Sequence, residues 1–342
     1  MPIQSLMMKG GAWRRHALAT AMLALSAGAT LAQPAPPATP AAAGGGTNGP
    51  AAGAPARPPA DPAALKPFDE VIKGAKVSEG LFPIWRLDEK AWIEVPVAAL
   101  GKPFLFTVNY ANSIGERGLY ASQMGPAWLA TFRRVGRQVQ LMALNEKFRA
   151  VADQGSKTAI EQAFSPSLLA AGVQASAEHP TRKSILLDAS LLLADIPGMS
   201  TRLEAAFRLP YALDRANSSF AASRADAQLT TLTARLHFAT PRIPAPPLTP
   251  TPMPAAQLPQ AVPDPRSFFL DYVYSFAALP ETPMTPREAD PRLGHFTESF
   301  TDLGGDMKAN PRVHYVKRWR LEKKDAAAAL SEPVKPITFW LD

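Results

Sequence analysis

The strongest constraint on this chain is a set of segments whose apolar residues recur at every second position. Phe104, Phe106, Val108 and Tyr110 do so, and so do Leu232, Ala234, Leu236 and Phe238. A period of two places one set of side chains on one face of an extended strand. Trp128–Arg133 and Gln138–Leu144 read as the arms of a hairpin turning at Gly136. Shorter strands are expected over Phe82–Leu87, Trp92–Val97 and Ser184–Leu187, and a longer one over Ser267–Leu279 with Phe269, Tyr272 and Tyr274. The loop from Asn112 to Gly125 carries Gly115, Gly118 and Gly125. Helix is expected in three places: residues 68–77, ended by Gly74; residues 156–171, kinked or divided by Pro166; and one or two turns over Ala189–Asp195, ended by Pro197-Gly198. Strand does not alternate regularly with helix. That argues against a Rossmann or barrel plan and for an α+β fold with a mainly antiparallel sheet, one face of it wet.

Residues 1–32 have the build of an export signal. Lys9, Arg14 and Arg15 precede the apolar run Ala17–Leu25, and Ala27-Gly28-Ala29 or Thr30-Leu31-Ala32 fits a cleavage site. An uncleaved membrane anchor is the rival, and the shortness of the apolar run counts against it. Residues 33–64 are almost entirely Pro, Ala, Gly and Thr, too poor in apolar surface to offset their ordering entropy. They read as a disordered tether, either a spacer or a tolerated tail. The chain is then expected to run as a small leading segment (65–110), a main domain (111–290) with a Pro-rich connection (241–266), and a strand-rich connector (291–342).

The net charge is +7, and three of the positive residues lie in the signal. The remainder is too mild to argue for nucleic acid as a partner. There is no cysteine among the 342 residues, which excludes disulfides, thiolate metal sites, cysteine nucleophiles and a lipid-modified N-terminal cysteine.

No complete catalytic motif is present. The histidines are His16, His179, His237, His295 and His314, and none stands in a His-Glu-x-x-His arrangement. His237 ends an alternating strand and is expected to face solvent. His295 with Glu298, Asp302 and Asp306 can be drawn as an oxygen-rich metal site, but its spacing matches no known loop and a solvated turn explains it better. Asp188, Asp195 and Asp214 are conceivable acid–base carboxylates, although acids at strand ends and turns are common. Gly115-Glu116-Arg117-Gly118 is too short for a nucleotide fingerprint. Lys317-Arg318-Trp319-Arg320, with Lys323 and Lys324, is the densest basic run. Its alternation, Val313, Tyr315, Trp319 and Leu321 against His314, Arg318 and Arg320, suits a half-buried strand better than a nucleic-acid surface. No residue is nominated as catalytic, cofactor-binding or metal-ligating. The last six residues, Ile337-Thr338-Phe339-Trp340-Leu341-Asp342, read as a strand with no turn to close it, as though a further domain follows.

Several stretches together resemble the N-terminal, non-catalytic region of the bacterial secreted zinc-dependent metalloproteases. They are Phe68–Trp92, Gly115-Glu116-Arg117-Gly118, Asn145–Ala150, Leu187-Asp188 and Tyr211–Arg215 with Ser218-Ser219. The most specific are Asp290-Pro291-Arg292-Leu293-Gly294-His295-Phe296 and Arg318-Trp319-Arg320-Leu321-Glu322-Lys323. In that family two domains of unknown function precede a metzincin-like peptidase domain. The resemblance covers residues 65–342 and implies an accessory or pro-region of an exported protease, inactive alone. Its partner would be a C-terminal peptidase domain absent from this chain. Zinc would belong to that domain, with no cofactor in this one. No nucleic acid is implied, and no membrane beyond export. The rival reading is a stand-alone periplasmic binding or scaffolding module. A third is a hydrolase with an unrecognised carboxylate site.

Overall fold

The computed structural model describes residues 64–150, 154–245, 248–249, 255–304 and 310–339. The expected signal (1–32) and all but Ala64 of the expected tether (33–64) lie outside them.

A short helix, α1 (Phe68–Val71), opens the fold. The helix expected over 68–77 stops early because the backbone turns left-handed at Gly74 (φ 81°) and enters strand β1 (Lys76–Ser78). There follow β2 (Ile84–Leu87), β3 (Lys90–Pro96), β4 (Phe104–Tyr110), β5 (Gln123–Val135) and β6 (Gln138–Ala143). The expected hairpin is β5–β6, turning at Gly136 (φ 60°). Then come β7 (Phe148–Arg149), α2 (Gln154–Ala163), β8 (Ser167–Val173), β9 (Ser184–Asp188), a 3-10 turn (Ala189–Leu192) and α3 (Met199–Phe207). The long strands β10 (Ala212–Ala225), β11 (Leu229–Ala239) and β12 (Ser267–Ala277) precede the small pair β13 (Thr297–Asp302) and β14 (Arg312–Val316). The fold is α+β and almost wholly antiparallel; among the described strands only β13 and β7 pair in parallel.

Seven strands form one sheet in the order β10-β11-β12-β4-β5-β6-β8, and four form another in the order β1-β2-β3-β9. The two sheets meet along both edges. At one seam the Leu81 N–H donates to Asp226 O at 2.8 Å, and Arg86 reaches the carbonyls of Phe220 and Ala221 on β10. At the other, the Ala175 N–H donates to Leu186 O at 2.7 Å just beyond β8. Each seam closes over a glycine. A methyl on Gly80 would lie 2.5 Å from Ala225 Cβ, and one on Gly172 would lie 2.9 Å from Leu187 Cδ1.

One core is shared by both sheets. Phe104, Phe106, Val108 and Tyr110 of β4 are all buried, as are Leu232, Ala234, Leu236 and Phe238 of β11, so both alternations point inward as expected. The rings of Phe82, Phe104, Phe132 and Phe276 pack edge-on or tilted, apart from the stacked pair Phe132–Phe276, with centroids 5.0–5.9 Å apart. Such pairs each contribute about 0.5–1.5 kcal/mol beyond area burial. On β12 the inward residues are Phe268, Leu270, Tyr272, Tyr274 and Phe276; Phe269 is on the outer face. Tyr274 donates to Ala194 O at 3.1 Å, whereas the buried Tyr272 hydroxyl has no partner among the described residues. Burial pushes both phenols well above their ordinary value, so both remain protonated. An unsatisfied buried hydroxyl costs about 1–3 kcal/mol. Tyr272→Phe is therefore expected to stabilise the protein by about 1 kcal/mol in urea unfolding. A loss of stability would mean that the hydroxyl is bonded after all.

Two expectations are overturned here. Residues 156–171 are not one helix. α2 ends at Ala163, and Leu168–Ala171 lie in β8, which pairs with β6 from Gln138↔Val173 to Ala143↔Ser167. Pro166 cannot donate within a helix, and pairing onto β6 overrides the helical leaning of Leu168-Leu169-Ala170-Ala171. Nor does the basic run continue a half-buried strand. β14 stops at Val316, and Trp319 and Leu321 are 68% and 55% exposed. Arg318 and Arg320 instead donate to the carbonyls of Thr285 and Thr282, pinning the chain across the 282–285 segment. The described part of the expected final strand, up to Phe339, is irregular, and Trp340–Asp342 lie outside the described residues. The elements α3 and β10, and the short strands β1, β7 and β13, had no counterpart among the elements expected from the sequence.

Candidate functional site

The three aspartates weighed as acid–base groups do not converge. Asp188 Oδ1 accepts from the Ser190 N–H at 2.9 Å and caps the 3-10 turn. Asp195 accepts from the N–H groups of Met199 and Ser200 at 2.6 and 2.8 Å and caps α3. Both satisfy donors that a helix start leaves open. Asp214 is different, because it faces His237.

His237 does not face solvent as expected; its side chain is only 12% exposed. Its Nδ1 lies 3.0 Å from Asp214 Oδ2 and its Nε2 lies 2.8 Å from Ser267 Oγ. The Phe269 ring packs against it at 4.9 Å. The cause is register. Asp214 pairs opposite His237, and a bulge follows between Asp214 and Ser219, so β10 turns its carboxylate over the neighbouring strand.

The loop Gly115–Gly118 is a tight turn that carries no ligand geometry. Gly115, Arg117 and Gly118 all have positive φ, and Glu116 Oε1 accepts from the N–H groups of Gln260 and Ala261. It ties the Pro-rich connection down. Among the described residues no three His, Asp or Glu side chains gather as a metal site; Asp306, of the cluster drawn around His295, lies outside them.

A buried ionic cluster escaped the sequence reading. Glu94, with a side chain 4% exposed, accepts from Arg182 Nε and Nη2 at 2.8 Å each, from Ser184 Oγ at 2.6 Å and from Trp85 Nε1 at 2.9 Å. Burial pushes its carboxyl up, but the hydrogen bonds from Arg182, Ser184 and Trp85 more than offset that and hold it below its ordinary value. This cluster joins β3 to β9 and is structural. An acid inside the apolar run Trp92-Ile93-Glu94-Val95 was the available signal.

Several exposed apolar side chains lie beside the small sheet β14-β13-β7 and along the segment after it. Phe296 is 88% exposed and, with Lys317, Arg318 and Trp319, lines a shallow hollow of 440 Å³. Lys317 Nζ is held by Glu298 at 2.6 Å and Arg318 by Thr285 O, so the rings stand between anchored cations. Next to it, beginning at His295, is a groove of 630 Å³ whose lining includes Glu288, Asp290, Leu293, Arg312 and His314. Farther along, Phe339 is 80% exposed. Phe296 and Trp319 share the shallow hollow, and clustered exposed apolar side chains are common where a protein surface meets another body.

Residues 122–324, more than half of the chain, match a family described as a domain of unknown function (DUF5117). The chain belongs to the DUF5117 family. Residues 65–113 match a second family, also described as a domain of unknown function (DUF5118). No curated protein and no solved structure matches the chain. The order of the two matches agrees with the coarser part of the resemblance, two domains of unknown function in succession; neither description names a peptidase. The structure of this DUF5117 protein does not divide at the gap between the matches. β4, from the DUF5118 stretch, runs between β12 and β5 of the DUF5117 stretch, and β9 of the latter completes the sheet begun by β1, β2 and β3.

Proposed function

We propose that this chain is the accessory region of an exported zinc peptidase, taking no part in the peptidase chemistry and docking a folded peptidase domain through its C-terminal face. The observation that carries this reading is the exposed aromatic pair Phe296 and Trp319, which line one hollow on the connector 291–342. A stand-alone periplasmic module would be expected to close that surface. Two large apolar side chains left in water each forgo about 1.5–3 kcal/mol of burial, which a partner recovers. Docking would either help the peptidase domain fold or cover its cleft.

The test uses a separately made peptidase domain of this class, mixed with the full chain. Binding is expected in calorimetry, and Trp319→Ala with Phe296→Ala should weaken it at least tenfold while leaving the unfolding midpoint of this chain unchanged. Equal binding by the double variant would remove the docking face. No binding at all, with no change in peptidase activity or folding yield, would leave the stand-alone module.

A further inference from the structure

The geometry points to a second, independent site: Ser267 as a nucleophile for small activated acyl esters, with His237 as its general base and Asp214 orienting that base. The three residues come from three neighbouring strands, β12, β11 and β10, on the outer face of the seven-stranded sheet. With Nδ1–H donated to Asp214 at 3.0 Å, His237 Nε2 is left with its lone pair on Ser267 Oγ at 2.8 Å. That is the role order of an acyl-transfer triad, recognised by geometry rather than by chain position.

The supporting contacts are specific. Asp214 is fixed by Asn217 Nδ2 at 2.6 Å and by the Ala216 N–H at 3.1 Å. Hydrogen bonds from Asn217 and then His237 hold its carboxyl below the usual range, so it is charged at neutral pH. The His237 N–H donates to Ser218 Oγ at 3.0 Å, which fixes the strand beneath the ring. The exposed Phe269 ring at 4.9 Å offers an apolar contact for an aryl or short acyl group. The nearby backbone donors are occupied: the Ser267 N–H already donates to Asp264 O and the His237 N–H to Ser218. An oxyanion therefore gains little preorganised support, a deficit of about 10²–10³ in rate for each missing donor. This restricts the substrate class to esters with good leaving groups and excludes peptides.

The step balances without a further reactant. Ser267 Oγ attacks the ester carbonyl carbon as its proton passes to His237 Nε2. The bond to the leaving phenolate breaks, and the phenolate takes that proton. Water, deprotonated by the same imidazole, then cleaves the acyl-serine to the carboxylic acid and restores Oγ–H.

The full chain is treated with a fluorophosphonate probe and, separately, with p-nitrophenyl acetate. One phosphonyl adduct on Ser267 is expected by intact mass and peptide mapping, with release of nitrophenol above the buffer rate. Ser267→Ala should abolish both. His237→Gln should slow both by about 10²-fold or more, the usual contribution of a positioned base. Asp214→Asn, which retains hydrogen bonding at the same place, should lower the rate without unfolding the chain, as checked by circular dichroism. Absence of a Ser267 adduct overturns the proposal, as does an adduct that forms equally fast in folded His237→Gln.

Discussion

A chain that begins at residue 122 is expected to stay unfolded, although it contains the whole DUF5117 match. It lacks β4, which is not peripheral. β4 pairs on one side with β12, from Tyr110↔Tyr272 to Leu105↔Ala277, and on the other with β5, from Phe104↔Ala130 to Tyr110↔Gln123. Its loss leaves two inner strands with bare edges and removes Phe104, Phe106, Val108 and Tyr110 from the core. At about 1.5–3 kcal/mol for each buried side chain, the loss is about 6–12 kcal/mol. That rivals the roughly 5–15 kcal/mol by which a domain is stable at all. Circular dichroism and amide dispersion of residues 122–339 should show no cooperative unfolding transition, whereas residues 64–339 show one. Adding residues 64–121 as a separate peptide should restore part of the signal. A cooperative, well-dispersed 122–339 would mean that β5 can pair directly with β12.

Glu94→Ala is expected to cost about 1–3 kcal/mol, because it leaves the shielded Ser184 hydroxyl and Trp85 N–H without their acceptor, while the Arg182 guanidinium, 38% exposed, turns to water. The same cluster sets a pH dependence. The folded carboxyl lies below its ordinary value, so its stabilisation is fully present above the unfolded glutamate range. It is lost as the pH falls through the folded value. Urea midpoints measured from pH 7 downward should fall for the natural chain, and Glu94→Gln should fall less steeply because its amide does not titrate. Parallel curves would assign the acid sensitivity to other groups. The amide should still be less stable than the carboxylate at pH 7, because the charge-assisted bonds to Arg182 become neutral ones.

The strands that could be read from the sequence are those whose partners impose a plain alternation. β4 and β11 are buried on one face along their length, so their inward residues announce the period. β10 was hidden because two register shifts, at Asp214/Ser219 and Phe220/Ala222, break its alternation, and because an edge strand can be polar on most of its surface. β8 read as helix because Leu168-Leu169-Ala170-Ala171 favours helix locally, while its pairing with β6 is decided elsewhere in the chain. The same limit governed the sites. His237 was visible as a residue, but Asp214 and Ser267 reach it only through the ladders that place β10 and β12 on either side of β11. Glu94 likewise shows its purpose only once β9 brings Arg182 and Ser184 alongside. The exposure of Trp319 and Leu321 came from the opposite error: alternation suggested burial for residues that no strand covers.

The position of β4 also constrains the order in which the sheet can assemble as the chain emerges. β4 is made early, and its partner β12 is among the last long strands to emerge. Hairpins such as β5–β6 and β10–β11 can form as they appear, but the large sheet cannot join until Ala277 has been synthesised. During that interval Phe104, Phe106 and Tyr110 lack the cover that Phe276, Tyr274 and Tyr272 of β12 later give them. Pairings so distant in sequence are slow to form and leave sticky edges waiting. The nascent chain is therefore most in need of a chaperone between the completion of β4 and the arrival of β12.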